Sequence, residues 1–412
     1  MVGVIDESGS KVISYGKPGR DSSRELDGET VFEIGSVTKT FTACLLEKMV
    51  ERGQLSLDDP AQKFLPKSVN VPSRNGKQIT LRDLATHTSG FPRMPDNFSP
   101  KDKTNPYADY SVQQMYDFLS DYTLPREIGS KYEYSNLGVG LLGHILSLKA
   151  GTNYETLVVK EICDPLKMNS TRVTLTSAMK NRLAVGHDKK WKPVHNWDLP
   201  TFVGAGALRS TANDMLKYLA ANLGLNDSPL SKTMAKTHIA QRPAENPKAE
   251  IGLAWHVSKN FGSELIWHNG ATGGYHTFVG LDKEKHRGVV VLANSASDID
   301  FIGRHLLNSH FQLPSPTKDA SHTLAKIDYH IYDKYVGKYE LAPQIFFTIT
   351  RDGNHLFAQL TGQQSLEVFP ESETEFFYKV VDAQLTFLTN ETETSALVLH
   401  QNGADQEAKE VR

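Results

Sequence analysis

Strand-length apolar runs stand at two distant places in this chain. Val2–Ile5 and Val12–Tyr15 flank the turn-forming Glu7-Ser8-Gly9-Ser10 and read as a hairpin. Far downstream, Gly252–Val257, Leu265–His268, Tyr275–Leu281 and Gly288–Ala293 are runs of the same kind, separated by turns. Between them, from about residue 61 to 245, the pattern is mostly helical with long loops. A strand needs partners along both edges and cover on its apolar face. The economical solution is one sheet assembled from both ends of the segment, with a large helical insertion. The expected class is therefore α/β: an antiparallel sheet flanked by helices, with residues 1–60 and 246–312 forming the sheet region and 61–245 the helical region.

At 412 residues the chain exceeds the usual size of one domain, so a second is expected. Leu313-Pro314-Ser315-Pro316-Thr317-Lys318-Asp319 reads as part of a linker over 313–322. Beyond it, 323–412 opens with a short helix around Tyr329–Val336. Alternating runs follow at Ile345–Thr350, Leu356–Gln359, Phe376–Val381, Gln384–Leu388 and Ala396–Leu399. That is a small antiparallel sheet or barrel, with no Ser/His/Asp cluster or metal spacing of its own. It reads as an accessory domain that caps a site or mediates self-association.

The net charge of −3, without a basic block, makes nucleic acid an unlikely partner. No apolar run reaches the length of a membrane span. Two cysteines, Cys44 and Cys163, are a poor disulfide framework for this length and read as buried thiols. No signal peptide is visible, although the chain opens inside an apparent first strand. A removed leader would put the protein in the periplasm or outside the cell; otherwise it is cytoplasmic.

Ser-x-x-Lys occurs five times, at Ser8, Ser14, Ser36, Ser177 and Ser315, so spacing alone selects nothing. Context selects Ser36. Phe41, Leu45, Met49 and Val50 form a helix-period stripe that ends before Gly53, a fitting C-terminal glycine. Ser36 and Lys39 then share one face of the first turn, where the helix terminus favours developing negative charge. A plainer reading makes Ser36 a helix cap and Lys39 a solvated lysine. Tyr134-Ser135-Asn136 and His268-Asn269-Gly270 follow in that order and shift the balance.

A serine hydroxyl needs a nearby base to become a nucleophile. Lys39 serves if burial or a cationic neighbour lowers its pKa, and Tyr134 serves if a Lys39 cation favours its phenolate. Ser36, Lys39 and Tyr134 are expected to share one proton network, with the working base left open between the last two. Asn136 holds a substrate carbonyl and steadies Lys39, or is simply the cap of the helix Leu137–Leu148. The backbone N–H groups of Ser36 and Ala271 would form an oxyanion hole, beside a Gly270 that lets a substrate backbone lie close. The alternative for His268-Asn269-Gly270 is a tight turn with an exposed histidine.

Gly138-Val139-Gly140-Leu141-Leu142-Gly143 matches GxGxxG but lacks a preceding strand, so close helix packing is expected rather than a dinucleotide site. No GxSxG, Walker, HExxH or paired CxxC pattern occurs, and no cofactor or metal is implied.

Taken together, these blocks resemble the penicillin-recognising serine hydrolases, specifically the class C β-lactamase-like family. The likeness extends to Glu33–Lys39, Leu84-Ala85-Thr86-His87-Thr88-Ser89-Gly90, Tyr134–Gly138, Asp164–Met168 and Gly288–Asn294. The tail resembles the lipocalin-like C-terminal domains that some members carry. The resemblance implies an acylated Ser36, an acid/base network of Lys39 and Tyr134, and a substrate contact at Asn136. His268-Asn269-Gly270 would replace the Lys-Thr-Gly motif of typical class C β-lactamases. A histidine there is largely neutral at pH 7, which favours the peptidase and D-aminopeptidase-type members. The expected function is a serine hydrolase acting through an acyl-enzyme on β-lactams, D-amino-acid peptides or small esters. The alternatives are an acyl transferase and a penicillin-binding sensor that does not hydrolyse.

Overall fold

The structure, a computed structural model, describes residues 1–19, 22–244, 249–260, 262–314, 322–363, 365–379, 381, 383–389, 394–401 and 404–411. They fall into two compact units, Met1–Gln312 and Leu313–Arg412. Most of the expected linker, 315–321, lies outside the described residues.

The first unit holds an eight-stranded antiparallel sheet. Its strands in chain order are β1 (Val2–Asp6), β2 (Gly9–Ile13), β3 (Arg242–Pro243), β4 (Ala249–Ile251), β5 (His256–Asn260), β6 (Ser263–Ala271), β7 (His276–Asp282) and β8 (Arg287–Ala293). Across the sheet they run β2-β1-β8-β7-β6-β5-β4-β3. The amino-terminal hairpin therefore docks on the last strand, with Val2 opposite Val291 and Ile5 opposite Gly288. The run at 252–257 begins as a strand only at His256. Ala254 turns the chain there with a φ of 60°.

Both faces of the sheet are covered. Helix α1 (Thr38–Glu51), α2 (Asn136–Ala150) and α3 (Ala212–Leu223) lie in the unit's main core; α4 (Asp300–Leu307) closes a smaller cluster with Phe278 and Val291. α1 is buried far beyond the expected single stripe, from Thr38 through Glu47. Its polar residues find internal partners: Thr40 donates to Val37 O at 2.8 Å and Thr42 to Gly204 O at 2.7 Å. The glycine motif in α2 is a packing device, as expected. A Cβ at Gly143 would stand 2.9 Å from Gly204 Cα, so only glycine lets the short helix Val203–Gly206 lie against α2. Cys44 and Cys163 are buried free thiols.

The second unit is a closed antiparallel barrel of eight strands, consistent with the lipocalin-like expectation. These are β9 (Gly337–Ala342), β10 (Ile345–Asp352), β11 (His355–Leu360), β12 (Leu366–Pro370), β13 (Glu375–Tyr378), β14 (Ala383–Thr389), β15 (Thr394–Gln401) and β16 (Ala404–Glu410). Pairing of Tyr339 with Glu410 and Glu340 with Lys409 closes the ring. Alternate residues point inward, including Phe347 and Ile349, Leu385 and Phe387, and Leu397 and Leu399. The expected helix at 329–336 is a short 3-10 turn, Tyr329–Lys334. Sequence reading missed β9, β12 and β16.

Candidate active site

Ser36 sits in a single 3-10 turn, Gly35–Val37, just ahead of α1, rather than within it. The turn is pinned to the sheet: Thr277 Oγ1 donates to Ile34 O at 2.9 Å. Gly270 meets it from β6. A Cβ there would stand 2.1 Å from Ile34 O and 2.9 Å from Ser36 N, so the strand passes against the serine's own backbone only as glycine. This contact sets Ala271, the next residue, beside Ser36.

Three residues on from Ser36, as the second residue of α1, Lys39 is fully buried. Its Nζ lies 3.0 Å from Ser36 Oγ, 2.8 Å from Asn136 Oδ1 and 2.7 Å from Ala205 O. The two oxygens other than the hydroxyl can only accept, so Lys39 must donate to both. Its third position faces the Ser36 hydroxyl, which can itself donate. A neutral amine fits this arrangement, with two N–H groups on the carbonyls and a lone pair on the serine. Burial, and then the Arg93 cation, pull its pKa well below the ordinary lysine value.

Asn136 begins α2 rather than capping it. The cap is Ser135, whose side chain accepts from Gly138 N–H at 2.9 Å. The Asn136 amide is thereby free for Lys39, and because its oxygen is taken, its NH2 points elsewhere. Tyr134, immediately before the cap, is half-buried. Lys39 Nζ and Arg93 Cζ each lie 4.9 Å from its ring centroid. Burial pushes the phenol up to about 12, with the Ser36 hydrogen bond and the Arg93 cation opposing. Of the two bases the sequence leaves open, burial disfavours the phenolate of Tyr134 and favours the neutral amine of Lys39.

On β6 the alternation of faces divides the third motif. Trp267, Asn269 and Ala271 face a cleft of about 840 Å³ that also exposes Ser36, Arg93 and His256. His268 points the other way and is 1% exposed, not a histidine on a turn. Its ring lies behind Tyr134, centroids 6.3 Å apart, and beside His256 at 5.4 Å. Nδ1 donates to the Asn269 carbonyl at 2.5 Å, which leaves Nε2 an unprotonated, unpartnered acceptor. Burial drives its pKa well below the usual histidine value. Of the three residues expected at the substrate here, Asn269 lines the cleft, Gly270 supplies the close approach, and the His268 side chain does not reach the cleft.

Asn269 is held from behind. Its Nδ2 donates to Asp300 Oδ2 at 2.5 Å, and His276 Nε2 lies 3.0 Å from Asp300 Oδ1. His276, Asp298 and Asp300 bring ligand atoms within 4.8 Å of one another. Both oxygens of Asp300 are already engaged, so the group reads as a hydrogen-bonded set that orients Asn269. Sequence reasoning missed Arg93, Lys131 and His256 in the cleft wall. Arg93 lies in residues 92–109, a long stretch without periodicity of the kind that often forms a substrate-side flap, which marks the segment but not the residue.

Residues 2–308 match the family model described as Beta-lactamase, and 322–410 match one described as Domain of unknown function (DUF3471). The chain is 26% identical to "Penicillin-binding protein 4*" of Bacillus subtilis (strain 168), over 96% of this chain and 91% of that protein. It is 29% identical to the "D-alanyl-D-alanine-carboxypeptidase/endopeptidase AmpH" of Escherichia coli (strain K12), over 70% of this chain and 77% of that protein. Its fold matches the solved octameric penicillin-binding protein homologue from Pyrococcus abyssi with a TM-score of 0.67 at 24% identity, covering 99% of this chain and 95% of that one.

Proposed function

The chain belongs to the Beta-lactamase family, and from that premise we propose that it is a serine hydrolase in which Ser36 is acylated and Lys39 is the base. The observation that carries this reading is the 3.0 Å approach of a buried Lys39 Nζ to Ser36 Oγ, with the amine's other two positions held by acceptors. In the first step Lys39 takes the Ser36 proton as Oγ bonds to the substrate's carbonyl carbon. The negative charge on the carbonyl oxygen is met by the N–H groups of Ser36 and Ala271. Donors of this kind are worth roughly 3–4 kcal/mol each when removed. The bond to the leaving nitrogen or oxygen breaks as Tyr134 protonates it, and Lys39 returns its proton to Tyr134. Water then attacks the ester through the same pair in reverse, releasing the acid and free Ser36.

The cleft favours an anionic substrate. Glu133 in its wall is paired with Arg126 at 2.5 Å, whereas Arg93 and Lys131 have no carboxylate partner among the described residues. The neutral His268 supplies no cation in place of the Lys-Thr-Gly lysine. A D-amino-acid peptide ending in a carboxylate fits this balance, as does a β-lactam; a small neutral ester uses it less. The acyl-transferase and sensor readings differ only in the fate of the acyl group on Ser36.

Intact-protein mass spectrometry with nitrocefin, a D-Ala-D-Ala peptide analogue and p-nitrophenyl butyrate tests the proposal. An adduct should form and clear in the wild type and be absent in Ser36→Ala. Turnover that survives in Ser36→Ala would sink it, and an adduct that never clears would favour the sensor.

A further inference from the structure

The stretch Leu84–Gly90 has no part in the reaction above, yet His87 within it is an outlier in three respects. It holds a φ of 57°, a left-handed conformation that few residues other than glycine and asparagine adopt. It is 1% exposed. It also touches three consecutive residues around the catalytic phenol. The His87 carbonyl accepts from Glu133 N–H at 2.8 Å. Its Nδ1 accepts from Ser135 N–H at 3.1 Å. Its ring stacks on that of Tyr134, with centroids 4.5 Å apart and planes 29° from parallel.

The donor at Ser135 fixes the tautomer. An amide N–H can only donate, so Nδ1 carries no proton and Nε2 does. Burial keeps the ring neutral. Nε2 is buried without a partner, so nothing competes with the contacts on the other side of the ring. A backbone held in a disfavoured region persists where its surroundings over-determine it, and such residues cluster at functional sites.

We propose that His87 is a positioning residue for Tyr134: it grips the backbone on both sides of the tyrosine and stacks on the ring, so that the phenol stays against Ser36. His87 is not among the residues that line the cleft, so it acts through Tyr134. The proposal rests on Tyr134 taking part in proton transfer.

The test uses the full chain labelled with 3-fluorotyrosine, in which the Tyr134 fluorine line is identified by its loss in Tyr134→Phe. His87→Asn keeps an acceptor near the Nδ1 position and tolerates the positive φ, but removes the stacked ring. His87→Ala removes both, and should it fail to fold, His87→Asn decides alone. The Tyr134 line should move in His87→Asn while the other tyrosine lines stay. With a turned-over substrate, kcat should fall about tenfold with KM within about twofold. In the Tyr134→Phe background the same substitution should cost almost nothing more. A Tyr134 line that stays in place, or an equal loss in both backgrounds, would overturn the clamp. If Ser36 is acylated by no substrate even in the wild type, the hydrolase reading fails while the fluorine line still decides the clamp.

Discussion

In the carboxy-terminal barrel, Tyr335 and Tyr339 turn their hydroxyls onto the carbonyls of Glu373 and Tyr335, at 2.7 and 2.9 Å, and Thr394 donates to Lys334 O at 2.8 Å. The ring of Tyr335 stacks on Phe387 at 4.1 Å, and Phe376 meets Phe387 edge-on. In Met1–Gln312 the interior is different. Among the described residues, every buried side-chain nitrogen or oxygen without a partner lies there, including His87 Nε2, His268 Nε2 and Glu33 Oε2. The barrel interior is apolar and aromatic packing with its polar tips satisfied. The sheet-and-helix unit keeps a buried amine, three neutral histidines and a phenol around one hydroxyl. Unsatisfied buried polarity is costly, and two of these atoms, His87 Nε2 and His268 Nε2, belong to rings that lie against Tyr134.

The largest effect that tests this contrast is at Lys39. Lys39→Met leaves the hydroxyl without its base, and kcat/KM should fall by at least about 10⁴-fold in steady-state assays. A loss below tenfold would make the buried amine a structural feature like those of the barrel. Tyr134→Phe should cost about 10²–10³-fold, since it removes an acid/base group and leaves the acylating pair in place. Gly270→Ala drives a methyl group toward Ile34 O and Ser36 N. A displacement of Ser36 by about 1 Å would cost about 100-fold in kcat. Wild-type activity in that variant would mean that strand and serine turn move apart freely.

The smallest effect on activity is expected from the barrel. Phe387→Ala should cost about 3–5 kcal/mol of that unit's stability through the cavity it leaves. All four tryptophans lie within 1–312. Circular dichroism should therefore record a weakened transition that tryptophan fluorescence does not follow. Equal shifts in both signals would show the two units melting as one.

The main sheet was legible because its central strands are apolar on consecutive positions, and buried strands read as short unbroken runs. The barrel was only half legible. β16, Ala404–Glu410, is almost wholly polar and exposed, with Ala408 its buried residue. Its place is fixed by ring closure rather than by its own pattern. At the site, Ser36 and Lys39 could be read because one helical turn joins them, and Tyr134 because its neighbours make a motif. His268 reads as a substrate contact by its motif, although strand alternation already sets it on the face opposite Asn269. Arg93 and His87 meet Tyr134 only through the path of loops that carry no periodicity.

The central claim is that Lys39 is neutral and accepts the Ser36 proton. Its most direct test is the rate of Ser36 acylation as a function of pH, followed by single-turnover mass spectrometry. Because burial lowers the amine's pKa, the fraction able to accept a proton is already high well below 10.5. The rate should climb on an acid limb far below that value. It should then stay level until the approach to about 12, where Tyr134 loses its proton. A rate that rises only as pH nears 10.5 would mean that the lysine is an ordinary cation, and would contradict the account.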